Sequence, residues 1–225
     1  MKRITVLLAD DHEVVLEGLR MLLNLEDDIK VIGEAKTGRE AVLMTQKLRP
    51  AVVIMDVAMP VLNGLEATRQ ILKTAPATKI LALSAHSDDA YVDQFLAMGA
   101  SGYITKQSTA QVLAKAIREV QKGKMFFSPS ISRRRDRLNP QSADRTGRRC
   151  KKAARLTSRE MEVLQLIAEG KANKETAEVL GISIKTVEKH RERVMSKLKI
   201  HDTAGLTRYA ISAGIIESSV QLTIV

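Results

Sequence analysis

Five times in the first 123 residues, a short apolar run gives way to a stretch whose apolar residues recur every three or four positions. The runs are residues 4–9 (Ile-Thr-Val-Leu-Leu-Ala), 30–35, 51–56 (Ala-Val-Val-Ile-Met-Asp), 79–84 (Lys-Ile-Leu-Ala-Leu-Ser) and 102–105. The first periodic stretch carries Val14, Val15, Leu19, Leu22 and Leu23; the others cover 39–48, 65–74, 89–98 and 109–122. Short, continuously apolar, β-branched runs bounded by turn residues read as buried strands, and the spaced apolar positions as amphipathic helices. Strand and helix in strict alternation with short turns predict an α/β fold, a doubly wound five-stranded parallel sheet. The flavodoxin-like strand order 2-1-3-4-5 is the candidate.

The runs end on chemically useful residues. The first ends at Asp10-Asp11, the third at Asp56, the fourth at Ser84, and the fifth just before Lys106. Open parallel sheets bind ligands outside the carboxyl ends of their strands, at the point where the strand order reverses. A single aspartate at a strand end is usually a turn former. Four such groups at the matching ends of four strands are hard to explain that way. Clustered carboxylates favour an oxygen-loving cation such as Mg²⁺, which takes one or two carboxylates plus phosphate and water. In that setting Asp56 is a candidate nucleophile toward phosphorus, with Lys106 and Ser84 placed to hold the remaining oxygens.

Length and charge narrow the class further. The 225 residues have room for two modest domains, and 44% hydrophobic with 28% charged is a globular profile. No apolar run approaches the ~20 residues of a membrane span. The start, Met1-Lys-Arg-Ile-Thr-Val-Leu-Leu-Ala-Asp10, runs into an acidic pair and so reads as a strand rather than a leader. One cysteine, Cys150, allows no intrachain disulfide, which fits a cytoplasmic protein. Of the net charge of +10, residues 133–155 carry +8, with ten Lys/Arg against two Asp/Glu. A basic connector between two nearly neutral parts points to a polyanion nearby, or to a solvated spacer. Taken over 128–155, a flexible connector would span about 30 Å.

Helical order returns at Leu156. Thr157-Ser-Arg-Glu160 is a capping box opening a helix with Met161, Val163, Leu164, Leu166 and Ile167, and Gly170 ends it. A short helix over 173–180, a Gly181-Ile182-Ser183 turn, a basic helix over 184–199 and a fourth helix from Asp202 or Thr203 to Ala213 follow. Short helix, glycine turn, longer basic helix is the helix-turn-helix order, whose second helix enters the DNA major groove. In that helix Val187, Val194 and Leu198 form an inward seam. Lys185, Thr186, Lys189 and Arg193 fall outward toward base edges, while His190, Arg191 and Lys197 are placed for phosphates. Glu188 and Glu192 on the same helix fit a plain solvated face.

With these residues in view, residues 1–123 resemble the receiver domain of bacterial two-component response regulators. Asp10-Asp11, Asp56 with Met59-Pro60 and Gly64, Ser84-Ala85, and Lys106 carry the resemblance. Leu156-Thr-x-Arg-Glu-x-Glu-Val-Leu, Asn173-Lys-Glu-Thr-Ala and Ser183-Ile-Lys-Thr-Val-Glu-Lys-His190 resemble the LuxR-type helix-turn-helix. The whole chain thus looks like a NarL/FixJ-family response regulator: a receiver over 1–127, a basic linker over 128–155 and a four-helix DNA-binding domain over 156–225. The resemblance implies that Asp56 accepts a phosphoryl group from a sensor histidine kinase. It implies that Asp11 and Asp56 bind Mg²⁺, with Asp10 behind them and the Ala58 backbone carbonyl completing the site. It also implies that Tyr103 is a switch aromatic moving inward as Ser84 closes on the phosphoryl group, although a strand tyrosine packed on a helix would look the same. Gln107 stands where many receivers have proline. The partners implied are double-stranded DNA, the kinase, RNA polymerase and a second copy of the chain when phosphorylated or on DNA. Leu206, Ala210 and Ile211 of the last helix are either dimer contacts or core.

Two other functions are weaker. A phosphohydrolase of the aspartate-nucleophile type wants a second aspartate at position 58, where this chain has alanine, so the chain reads as a regulator and not an enzyme. No Gly-x-Gly-x-x-Gly follows the first strand, which argues against a dinucleotide enzyme. A DNA-binding regulator that works through a partner protein, independently of phosphorylation, is the remaining alternative. The basic connector gives a direct test. Neutralising Arg133, Arg134, Arg135, Arg148 and Arg149 is expected to flatten the salt dependence of DNA binding, by up to about 0.9 in log–log slope per lost phosphate contact. An unchanged slope would make the connector a spacer.

Overall fold

The computed structural model describes residues 3–85, 89–132 and 156–216. The chain divides into two compact units, residues 1–149 and 150–225. Arg133, Arg134, Arg135, Arg148 and Arg149 of the basic connector lie outside the described residues, as does Cys150.

The first unit alternates β1 (Ile4–Ala9), α1 (Glu13–Asn24), β2 (Ile29–Ala35), α2 (Gly38–Leu48), β3 (Val52–Asp56), α3 (Gly64–Thr74), β4 (Lys79–Ser84), α4 (Asp89–Ala97), β5 (Gly102–Thr105), α5 (Ala110–Gln121) and β6 (Phe126–Phe127). The strands form one parallel sheet in the order β2-β1-β3-β4-β5-β6. This is the expected doubly wound order with one addition. The sequence predicts five strands, with the receiver running to residue 127 and the linker from 128. The structure instead pairs Phe126 and Phe127 with Gly102 and Tyr103 as a two-residue edge strand. Beyond it, the Ser128 N–H donates to the Tyr103 carbonyl, and Ile131 is buried in the core. One isoleucine among serines has no period to reveal it; the open edge of β5 supplies the backbone partners that order this segment.

Apolar side chains leave the sheet on both faces, as expected for a parallel sheet covered by helices on each side. One face gathers Leu7, Val53, Met55, Ala82 and Tyr103 with Ala41, Ile71 and Phe95 of α2, α3 and α4. The other gathers Leu8, Ile54, Leu83 and Ile104 with Leu16 and Leu23 of α1 and Leu113 and Ile117 of α5. Every residue of β3 is buried, so the strand that ends at Asp56 is wholly enclosed.

The loop after β3 is held tightly. A Cβ on Gly64 would fall 1.9 Å from the Asp56 carbonyl oxygen, so only glycine lets α3 begin that close to the strand end. Gly38 is confined in the same way: its N–H donates to the Leu62 carbonyl at 3.1 Å, and a Cβ there would lie 2.1 Å from that oxygen. Between them Val61 adopts φ 69°, a left-handed conformation that a β-branched residue resists.

The second unit comprises α6 (Ser158–Ala168), α7 (Asn173–Leu180), α8 (Ile184–Leu198) and α9 (Thr203–Ser212). The Thr157 side chain accepts from the Glu160 N–H, and the Glu160 carboxylate accepts from the Thr157 N–H, closing the expected capping box. Gly181 ends α7 at φ 63°, and Ser183 caps α8 by accepting from the Thr186 N–H. Val163, Leu164, Leu166 and Ile167 meet Ala177, Leu180, Val187, Val194, Leu206 and Ala210 in one core. Leu206 and Ala210 are therefore core residues, whereas Ile211 is exposed.

The Val61 backbone yields a prediction. Asparagine tolerates the left-handed region, so Val61→Asn should stabilise the protein by about 1 kcal/mol in urea unfolding. A loss of stability would show that the valine side chain's packing outweighs its backbone strain.

Candidate functional site

The alternation of side chains along each strand explains how the site assembles. Asp10 continues the Leu8 direction, Asp56 the Ile54 direction and Lys106 the Ile104 direction, all toward the face covered by α1 and α5. β1 pairs with β3, and β3 with β4, which is in turn beside β5, so three strand ends deliver these residues side by side. The Lys106 Nζ lies 2.7 Å from Asp10 Oδ2 and 3.1 Å from Asp56 Oδ1. Asp10 and Asp56 are almost entirely buried.

Burial of that kind disfavours charge. Desolvation first, and the Asp10 carboxylate second, push the Asp56 pKa up to about 7, against the pull of Lys106. Burial acts on Lys106 in the opposite sense, but its contacts with Asp10 and Asp56 outweigh it and leave the ammonium above the usual lysine range. One cation thus serves two carboxylates, and the site holds more negative charge than the lysine neutralises.

Two oxygens show where further positive charge would be accepted. Asp10 Oδ2 and Asp11 Oδ1 are buried, yet neither accepts a hydrogen bond. Asp10 Oδ2 has the Lys106 ammonium, 2.7 Å away, as its charge partner. Buried carboxylate oxygens without hydrogen bonds, at the mouth of an acidic cluster, fit a hard dication. The donor atoms that approach one another within 4.8 Å are those of Asp10, Asp11 and His12. His12, directly after the acidic pair, is the third donor of this group. Asp56 joins this group through Lys106, and Ala58 is half-buried in the loop that follows.

Ser84 and Tyr103 belong to the other face. Ser84 continues the direction of Ala82, which pairs with Tyr103, and both Ser84 and Tyr103 are buried. The tyrosine ring meets the Phe95 ring of α4 edge-on, with centroids 6.0 Å apart and planes at 77°. The ring therefore occupies an inner position, packed on a helix.

In the second unit the expected DNA-facing residues separate. Lys185, Lys189 and Arg193 are exposed along α8. The Thr186 hydroxyl is engaged with Ser183 Oγ at 2.8 Å, inside the helix cap. His190 is half-buried, and burial together with Arg159 and Arg193 lowers its pKa, so it brings no positive charge to a phosphate at neutral pH.

Arg191 and Lys197, placed on phosphates from their helical phase, are bound elsewhere. Arg191 donates to Thr203 Oγ1 at 2.6 Å and to Asn173 Oδ1 at 3.4 Å, bridging the starts of α9 and α7. The Lys197 Nζ is 2.6 Å from Oε2 of Glu160, a residue only 3% exposed. Burial raises the Glu160 carboxyl, but Lys197 and the Thr157 cap outweigh it and hold it below the usual range. Helical phase gives a face but not the neighbour that fills it.

A parallel sheet with an acid-and-lysine site at its strand ends, in one chain with a helix-turn-helix unit, defines the receiver-coupled DNA-binding regulators. The profile described as "Response regulator receiver domain" matches residues 6–118, and that described as "Bacterial regulatory proteins, luxR family" matches residues 154–210. The chain belongs to the two-component response regulators of the NarL/FixJ kind, which are DNA-binding transcription regulators. It is 36% identical over 215 residues to the response regulator protein VraR of Staphylococcus aureus, across 95% of this chain and 99% of that one. Among solved structures it is similar to the RcsB response regulator of Salmonella typhimurium, at 30% identity and TM-score 0.57 over 94% of this chain and 100% of that one. It is also similar to RcsB solved in complex with DNA, at 30% identity and TM-score 0.58 over 94% and 99% of the two chains. Among the described residues, no helix is long and apolar enough to cross a membrane.

The raised Asp56 pKa has a stability consequence. The folded protein holds a proton there that the unfolded chain releases near pH 4, so stability falls as pH rises from about 4 to about 7 and then levels off. Asp56→Asn removes that dependence. At pH 8, in the absence of divalent cations, it is expected to unfold at higher urea than the unsubstituted protein, by roughly 2–4 kcal/mol. The gap should shrink toward pH 4.5; a constant gap would mean that Asp56 ionises normally.

Proposed function

We propose that this regulator is switched by phosphorylation of Asp56, with a histidine kinase as donor and Mg²⁺ as cofactor. The observation that carries the reading is a buried aspartate at the end of the central strand, 3.1 Å from a lysine ammonium and beside a second buried carboxylate. Asp10, Asp11, Asp56 and the Ala58 carbonyl are the groups that would hold the cation. Bound there, Mg²⁺ would screen the carboxylates from one another and from the incoming phosphoryl oxygens.

The protein's own groups do the rest. An Asp56 carboxylate oxygen attacks phosphorus as the bond to the donor's histidine nitrogen breaks, forming an acyl phosphate. Lys106, already within reach of Asp56, pairs with a phosphoryl oxygen, and the Ser84 hydroxyl donates to another. Closing of Ser84 toward Asp56 would open space on the face of Ala82, where the Tyr103 ring lies inward. The face around β4, α4 and β5 then carries the signal.

The output is DNA binding. Lys185, Lys189 and Arg193 are the exposed cations that we assign to the groove, with Thr186 and His190 as neutral hydrogen-bonding groups. Arg191 and Lys197 act mainly by fixing α8 on its neighbours. RcsB has been solved as two dimers bound to two parallel DNAs. That supports a homodimer here, which would double the phosphate contacts and match a two-fold half-site arrangement.

The test is DNA binding by the full chain to a selected pool of duplexes, with and without acetyl phosphate and Mg²⁺. Phosphodonor is expected to tighten specific binding about tenfold or more in the unsubstituted protein and not in Asp56→Asn. Lys189→Ala and Arg193→Ala should weaken binding in both states. Equal binding by both proteins under all conditions would remove the phosphoryl switch and leave control by a partner protein.

A further inference from the structure

We infer that Glu188 is a specificity-determining residue of the DNA interface, a carboxylate on α8 that selects cytosine by accepting from its exocyclic amino group in the major groove. The inference rests on the assignment of α8 to the groove and goes beyond it in naming the base that one side chain reads.

Charge is laid out on α8 in a way that does not serve the helix itself. Lys185, Lys189 and Arg193 follow one another at four-residue spacing, Glu188 and Glu192 form a second row beside them, and all of these residues are exposed. Like charges four residues apart on a helix repel, so both rows cost stability. A face meant only for water would gain by alternating its signs. Other helices of the chain pair opposite charges at three-residue spacing: Arg69 with Glu66 at 2.7 Å, Lys122 with Glu119 at 3.1 Å and Arg159 with Glu162 at 2.6 Å. Lys185 and Glu188 have the spacing and the order of Arg159 and Glu162, yet among the described residues Glu188 is paired with no cation. Arg191, three residues further on, is held by Thr203 and Asn173. The Glu188 carboxylate thus stands exposed and unengaged beside the cations assigned to the groove.

A carboxylate carried toward a polyanion is repelled unless it meets a hydrogen-bond donor. In the major groove guanine offers O6 and N7 and thymine offers O4, all of them acceptors. Adenine has an amino donor, but its N7 acceptor lies beside it. Cytosine N4 is a donor with no acceptor next to it on its own edge, so cytosine is the base that a glutamate accepts. The place along the helix suits this role. Glu188 is the fifth residue of α8, in the N-terminal part that meets base edges, and Lys185 and Lys189 on either side offset its repulsion from the phosphates.

The experiment is sequence selection from random duplexes by the full-length chain, with acetyl phosphate and Mg²⁺ present, followed by titration of the selected duplex and its single-base variants. The unsubstituted chain, Glu188→Ala, Glu188→Gln and Lys189→Ala are compared, and circular dichroism checks that each is folded. The unsubstituted chain is expected to require cytosine at one position of the site, binding any other base there about fivefold or more weakly. Glu188→Ala should lose that preference at that position alone, while its affinity for unrelated DNA rises because a negative charge has left the interface. Glu188→Gln should move the preference to adenine, whose N6 and N7 an amide bonds together. An unchanged base preference in both Glu188 variants would overturn the role of Glu188 and make it a solvated acid. If Lys189→Ala selects the same site with the same affinity, α8 does not enter the groove, and the assignment beneath this inference fails with it.

Discussion

The ionic cluster of Lys106 with Asp10 and Asp56 is the constraint on which the receiver depends. Charges that are nearly withdrawn from water are costly, and they persist only where opposite charges are held close. Here the holding is done by three buried strands in register, because each contributes one residue from its last position or just beyond it. The arrangement is left deliberately incomplete. One ammonium faces two buried carboxylates and a third acid nearby, so the site remains receptive to further positive charge. The same shortage keeps the Asp56 carboxyl hard to ionise. A site balanced in this way responds strongly to a small change in charge.

The surrounding backbone is built to keep that site rigid. Gly64 lets α3 start against the end of β3, and Gly38 lets α2 lean on the loop between them. The strained Val61 sits in this loop, between two fixed points, where the surroundings impose a conformation its side chain would not choose. On the opposite face, Tyr103 against Phe95 fills the space between β5 and α4.

The helical unit uses charge in a different way. Glu160 is buried at the start of α6, where it closes a capping box and receives the Lys197 ammonium from α8. Arg191 ties the middle of α8 to the beginnings of α7 and α9. Both bonds fix the angle of the helix rather than present charge on it. Lys185, Lys189 and Arg193 are exposed cations of α8 outside these bonds.

The order and class of nearly every element could be read from the sequence, as could the residues at the strand ends, because buried parallel strands are short apolar runs and their ends are marked by the first charged residue. The helix-turn-helix was equally legible from its caps and its glycine. What the sequence left open was decided by neighbours distant along the chain. The edge strand and the burial of Ile131 exist only because β5 offers a free edge. Lys197 and Glu160, 37 residues apart, form a pair that helical phase could not foresee. His12 gained its place from the turn of one backbone N–H toward Asp10. Local sequence sets which residues a strand or helix presents and on which side. Only tertiary packing decides what meets them there, because charge, burial and distance are properties of the surroundings rather than of the residue.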